Sequence, residues 1–78
     1  MKEVKVLGSG CARCHKTEEM IAMAGAELGV DISLEPVTDF AQIAQYGVVS
    51  TPAVVIDGKV VHAGGLPSAE AVRHWLVG

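Results

Sequence analysis

Seventy-eight residues, half of them apolar and carrying a net charge of −3, suit one domain (1–78) with a modest core in which nearly every apolar residue is needed. The six Lys and Arg residues are dispersed rather than gathered into a stripe, which argues against nucleic acid as a partner. Lys2, Glu3 and Lys5 interrupt the first apolar residues and no apolar run approaches membrane-spanning length, so the expectation is a cytoplasmic monomer with neither signal peptide nor membrane segment.

Glu3 to Leu7 alternates like a half-buried strand, with Val4 and Val6 on one face and Glu3 and Lys5 on the other. Gly8-Ser9-Gly10 breaks that strand. Ala12 to Leu28 is free of proline and rich in Ala, Met, Glu and Leu. Within it Cys14, Ile21, Ala24 and Leu28, joined by Met20, form an apolar stripe, while Lys16, Glu19 and Glu27 point elsewhere and Gly29 stops the helix. Asp31 to Glu35 alternates again, and Pro36 closes it as it would an edge strand. Asp39 with Gln42 resembles a capping box for a short helix that lays Phe40, Ile43 and Ala44 on one side and ends at Tyr46-Gly47.

Ala53-Val54-Val55-Ile56 is apolar throughout, the pattern of a central strand covered on both faces. Asp57-Gly58 is a tight-turn signal, Lys59 to Ala63 is the hairpin partner, and Gly64-Gly65 ends the sheet. Ser68 caps a last helix with Val72, Trp75 and Leu76 inward and Glu70, Arg73 and His74 wet; His62 is expected on a wet face too. The order β-α-β-α-β-β-α defines an α/β chain: a four-stranded mixed sheet with helices on both faces, its first two strands parallel through a right-handed crossover.

The chemistry gathers at Gly8-Ser9-Gly10-Cys11-Ala12-Arg13-Cys14, a strand-to-helix junction. Unpaired backbone N–H groups and the helix dipole favour negative charge there, so a thiol ionises more readily, and Cys11 is best placed to gain. Cys14 lies one helical turn on and on the same face, near enough for the sulfurs to join. A bridge across so short a loop removes little entropy from the unfolded chain, so its use would be chemical rather than structural. Arg13 and Lys16 lie within a turn of Cys11 and could add to the dipole, or simply be solvated helix charges. Competing accounts are two buried structural thiols, a peptide-binding module without catalysis, and a soft metal, copper or zinc, held between the thiolates. Cys11-Ala12-Arg13-Cys14-His15 also spells the c-type haem attachment pattern, but haem needs export and a large pocket. Small copper-chaperone domains share the loop but run β-α-β-β-α-β and end on a strand.

Three features in order, Cys11-Ala12-Arg13-Cys14 after the first strand, Thr51-Pro52 before the central strand and Gly64-Gly65 after the hairpin, make the chain resemble the thioredoxin fold. More closely, it resembles the small glutaredoxin-like redox-active disulfide proteins of bacteria and archaea, over essentially its whole length. The resemblance implies a protein disulfide oxidoreductase and electron carrier, with no cofactor beyond a Cys11–Cys14 disulfide and no resident metal. Cys11 would be the nucleophile, Cys14 the resolving thiol, Thr51–Pro52 a cis peptide, Pro52 the substrate-side wall and Thr51 the edge that docks an extended peptide. Gly64 and Gly65 would let substrate approach.

The partners so implied are disulfide-containing proteins and an electron donor, either a dithiol reductase like thioredoxin reductase or glutathione. The chain departs from thioredoxins in placing Gly10 where an aromatic residue usually precedes the first cysteine, and Ala12-Arg13 where Gly-Pro usually stands. Leu66-Pro67-Ser68 follows the paired glycines where glutaredoxins carry an Asp for glutathione, which argues against that binding mode. Lys5 stands where many thioredoxins keep a buried carboxylate; close to the cysteines, its charge would favour the thiolate.

Overall fold

A computed structural model describes residues 1–8 and 12–77; Ser9, Gly10, Cys11 and Gly78 lie outside the described residues. The elements are β1 (Lys2–Leu7), α1 (Ala12–Leu28), β2 (Ile32–Val37), α2 (Phe40–Gln45), β3 (Ala53–Ile56), β4 (Lys59–Ala63) and α3 (Ala69–Val77). The sheet order is β2-β1-β3-β4, with β1 parallel to β2 and antiparallel to β3, and β3 antiparallel to β4. The C-terminal ends of β1, β2 and β4 and the N-terminal end of β3 therefore share one rim of the sheet.

The alternation within strands divides the apolar residues between two layers. Val4 and Val6 of β1 and Val54 and Ile56 of β3 pack with Ile21, Ala24, Val72 and Leu76 on the side of α1 and α3. Leu7, Ala53 and Val55 turn the other way and meet Val37 and Ile43. All four residues of β3 are buried because the strand has a layer on each side.

Several boundaries and faces differ from the sequence-based expectation. Leu28 does not continue the buried stripe of α1; burial passes from Cys14 and Thr17 to Ile21, Ala24 and Gly25. The helix ends in a Schellman reversal, with Val30 N–H on Gly25 O at 2.9 Å, Gly29 N–H on Ala26 O at 3.4 Å and Gly29 at φ 67°. That reversal folds the chain back over Gly25, where a methyl would stand 3.1 Å from Ile32 Cδ1, so the inward line stops a turn before Leu28.

Pro36 lies inside β2 rather than after it, and the strand continues to Val37. The carbonyls of Asp31 and Val37 bond β1 at Lys2 and Gly8, so by alternation Pro36 turns its nitrogen to the open edge, where no N–H is needed. In α2 the Asp39 carboxylate caps Ala41 N–H at 2.8 Å, but Phe40 and Ala44 are exposed and Ile43 alone is buried. A six-residue helix meets the sheet through one position, and Tyr46 and Val48 in the following loop complete the layer.

The hairpin turn has both central residues at positive φ, Asp57 at 50° and Gly58 at 83°, as a type I′ turn requires. Ser68 Oγ accepts from Ala71 N–H at 3.1 Å at the start of α3. His62 is not on a wet face; it is half-buried, for a reason set by the register of β4.

Candidate functional site

The rim where β1 and β3 meet collects most of the residues that the sequence singles out. Gly8 leaves β1 buried, its N–H on Val37 O at 2.9 Å. A methyl placed on Gly8 would overlap Cys14 Sγ and stand 3.7 Å from Thr51 Cβ, so its bare Cα is what admits both neighbours. Cys14 is 2% exposed. One turn further along α1, Thr17 is wholly buried and spends its hydroxyl on Arg13 O at 2.8 Å, so it brings no unsatisfied donor into the layer beneath the cysteine.

The Thr51–Pro52 peptide bond is cis. Thr51 is exposed and Pro52 buried. Gly64 closes against this segment from β4: its N–H donates to Pro52 O at 2.9 Å, and a methyl on it would stand 3.1 Å from Ser50 Cβ. Gly64 and Gly65 have φ of 84° and 74°, a left-handed pair that side chains resist. Gly8 thus stands beside both Cys14 and Thr51, and Gly64 beside the adjoining Ser50 and Pro52, whereas Cys11 lies outside the described residues.

The charged candidates are placed differently. Arg13 and Lys16 are exposed on the opening turns of α1. Lys5 lies on the sheet face shared with α2, where its ammonium donates to Tyr46 Oη at 3.5 Å. The Tyr46 hydroxyl, with the Glu35 carboxylate and more weakly Glu3 beside it, holds Lys5 above the ordinary lysine range, so it is a fixed positive charge at neutral pH. Among the described residues no group of three or more His, Cys, Asp or Glu could hold a metal ion.

Sequence reasoning did not find Gly8 as the spacer of Cys14, nor Tyr46 as the partner of Lys5. The glycine itself was a signal for the first; the second pair is 41 residues apart and has no local signature.

A β-α-β-α-β-β-α chain with this strand order, and a prolyl segment facing a buried helix cysteine, is a thioredoxin-type domain. Residues 2–77 match the family described as "Thioredoxin domain". The chain is 37% identical over 76 residues to a protein named thioredoxin from Methanocaldococcus jannaschii, covering 97% of this chain and 87% of the relative. It is 30% identical over 76 residues to another protein named thioredoxin, from Methanothermobacter thermautotrophicus, covering 97% of this chain and 99% of the relative. The chain belongs to the thioredoxin family. Among the described residues no helix is long and apolar enough to cross a membrane.

Proposed function

We propose that this protein, acting as one thioredoxin-like unit over 1–78, is a thiol–disulfide oxidoreductase that uses Cys11 and Cys14. The observation that carries the reading is the burial of Cys14 against Gly8, with Thr51 beside the same glycine. A second thiol kept from solvent at the mouth of a prolyl segment suits a sulfur that reacts only with its neighbour. Family membership and the names of the two relatives support the same class of activity.

In the forward direction Cys11 thiolate attacks one sulfur of a substrate disulfide. A Cys11–substrate bond forms, the substrate S–S bond breaks and the first substrate thiolate leaves. Cys14 thiolate then attacks Cys11 Sγ, the intramolecular disulfide forms, and the second substrate thiolate is released. The substrate has gained two electrons and two protons, and the pair is regenerated by a thiol donor, either a flavin-dependent dithiol reductase or two molecules of glutathione, which is itself oxidised to the disulfide. The backbone at Thr51 offers an extended peptide an edge to pair with, and Pro52 walls that edge. Arg13 and Lys16 add positive charge near Cys11. The substrates are disulfide-containing proteins in a cytoplasm that keeps thiols reduced.

The test is trapping. Cys14→Ser leaves the attack intact and removes the release, so a mixed disulfide with substrate accumulates and is visible on a non-reducing gel, while Cys11→Ser traps nothing and loses insulin reduction. Absence of any adduct in Cys14→Ser, with insulin reduction also absent in the unaltered protein, would remove this reading.

A further inference from the structure

β4 carries an extra residue. Val55 pairs with Val60 and Val54 with His62, so Val61 bulges between them. A bulge re-aims the side chains beside it. Here two sequence neighbours both reach the layer of α1 and α3: Val61 packs against that core, and the His62 imidazole lies 5.6 Å from the ring of Trp75, tilted by 46°.

The imidazole also reaches the glycine pair, with Nε2 standing 2.9 Å from Gly65 O. A carbonyl oxygen can only accept, so Nε2 carries the proton and donates it. On the other side of the loop, Gly64 N–H holds Pro52 O. Trp75, His62, Gly65, Gly64 and Pro52 are thereby linked in one run of contacts from α3 to the prolyl segment. Two adjacent glycines lose more conformational freedom on ordering than any other pair, and they have no side chains with which to fix themselves. The loop is fastened at one end by the Gly64 amide and at the other by His62.

We propose that His62 is a positioning residue for disulfide exchange, fixing the Gly64–Gly65 loop so that the Thr51–Pro52 edge presents one shape to an extended substrate peptide. The proposal rests on the oxidoreductase reading above. His62 acts through Gly65 and Gly64, so it governs docking of a protein substrate and leaves the exchange at sulfur alone.

Two substitutions separate the hydrogen bond from the packing: His62→Phe keeps a ring on Trp75 and loses the donor, and His62→Gln keeps a donor and loses the ring. Insulin reduction by His62→Phe is expected to show a KM raised roughly 3- to 10-fold, the worth of about one hydrogen bond, with kcat unmoved. Its rate with the small disulfide 5,5′-dithiobis(2-nitrobenzoate) is expected to stay the same, because that compound needs no peptide edge. Gly64 amide hydrogen exchange speeds up in His62→Phe, and His62→Gln stays near the unaltered protein in both KM and exchange. The proposal is overturned if His62→Phe leaves KM and Gly64 exchange unchanged, if His62→Gln is as impaired as His62→Phe, or if the small-disulfide rate falls in step with insulin reduction. Should the unaltered protein reduce neither compound, the oxidoreductase reading fails, and Gly64 exchange in the three proteins still decides whether His62 holds the loop.

Discussion

Gly8 joins the two halves of the candidate site through an atom it lacks. Its φ lies outside the left-handed region, so alanine is compatible with the backbone and the constraint is steric alone. The added methyl of Gly8→Ala would occupy the position of Cys14 Sγ, in a place where Gly8 N–H is already tied to Val37 O and cannot retreat without losing that bond. Forced overpacking of this kind typically destabilises by about 1–3 kcal/mol, which a urea melt will resolve. Cys14→Ala in the same background removes the atom that the methyl meets, so the double variant is expected to recover part of the loss, with a coupling of roughly 0.5–3 kcal/mol. Strict additivity of the two changes would show that Gly8 and Cys14 do not touch as described. A smaller effect is expected where a side chain has room to move, and Lys5, bonded to Tyr46 at 3.5 Å on a half-exposed face, is such a case.

Among the elements, the β3–β4 hairpin is the best defined by local chemistry, because Asp57 both shapes the turn and fastens it. Its N–H donates to Glu3 O at 2.8 Å and its carboxylate accepts Glu3 N–H at 3.0 Å, tying the turn to the start of β1. Asp57→Ala keeps a side chain at positive φ while deleting the acceptor, and is expected to lower stability by about 1–2 kcal/mol. Asp57→Asn tolerates the same φ and still offers an oxygen, so its urea midpoint is expected near that of the unaltered protein; a drop as large as alanine's would show that the acceptor is immaterial. This hairpin was legible in the sequence for the same reason, since Asp-Gly between two β-branched runs leaves few other conformations. The uniform apolarity of β3, Gly29 as a stop and Ser68 as a cap were equally local signals. What escaped was non-local. Phe40 and Ala44 fit an apolar helical face, but α2 is too short to bury more than Ile43. His62 looked wet because Val60 and Val61 are both β-branched, and nothing in their order says which one the bulge leaves unpaired. The approach of Cys14 and the prolyl segment, which meet across Gly8, was legible only through family resemblance, because separate parts of the chain carry Cys14 and Thr51 and no spacing rule joins them.

For the whole molecule, the question is what holds α3 onto the rest, since Trp75 stands behind His62 and the prolyl segment lies beyond it. Two kinds of contact link α3 to α1 and the sheet. Val72 and Leu76 are buried in the layer with Ile21 and Ala24, at 1% and 2% exposure. Arg73 also pairs with Glu27 of α1 at 3.2 Å, but those side chains are 56% and 58% exposed. An ion pair so wet is screened and must hold two long side chains in one geometry, so it is worth about 0–1 kcal/mol, whereas truncating a buried leucine costs about 2–5 kcal/mol. Against a total stability of about 5–15 kcal/mol, the apolar contact decides whether α3 stays docked. Leu76→Ala is therefore expected to shift the urea midpoint strongly and Arg73→Ala hardly at all, with the Arg73 effect shrinking further at roughly 1 M salt, where screening extends to about 3 Å. The chain has one tryptophan, so its fluorescence reports this docking directly. If Arg73→Ala cost as much as Leu76→Ala, α3 would be held by charge, and the support behind the His62 loop would weaken in salt.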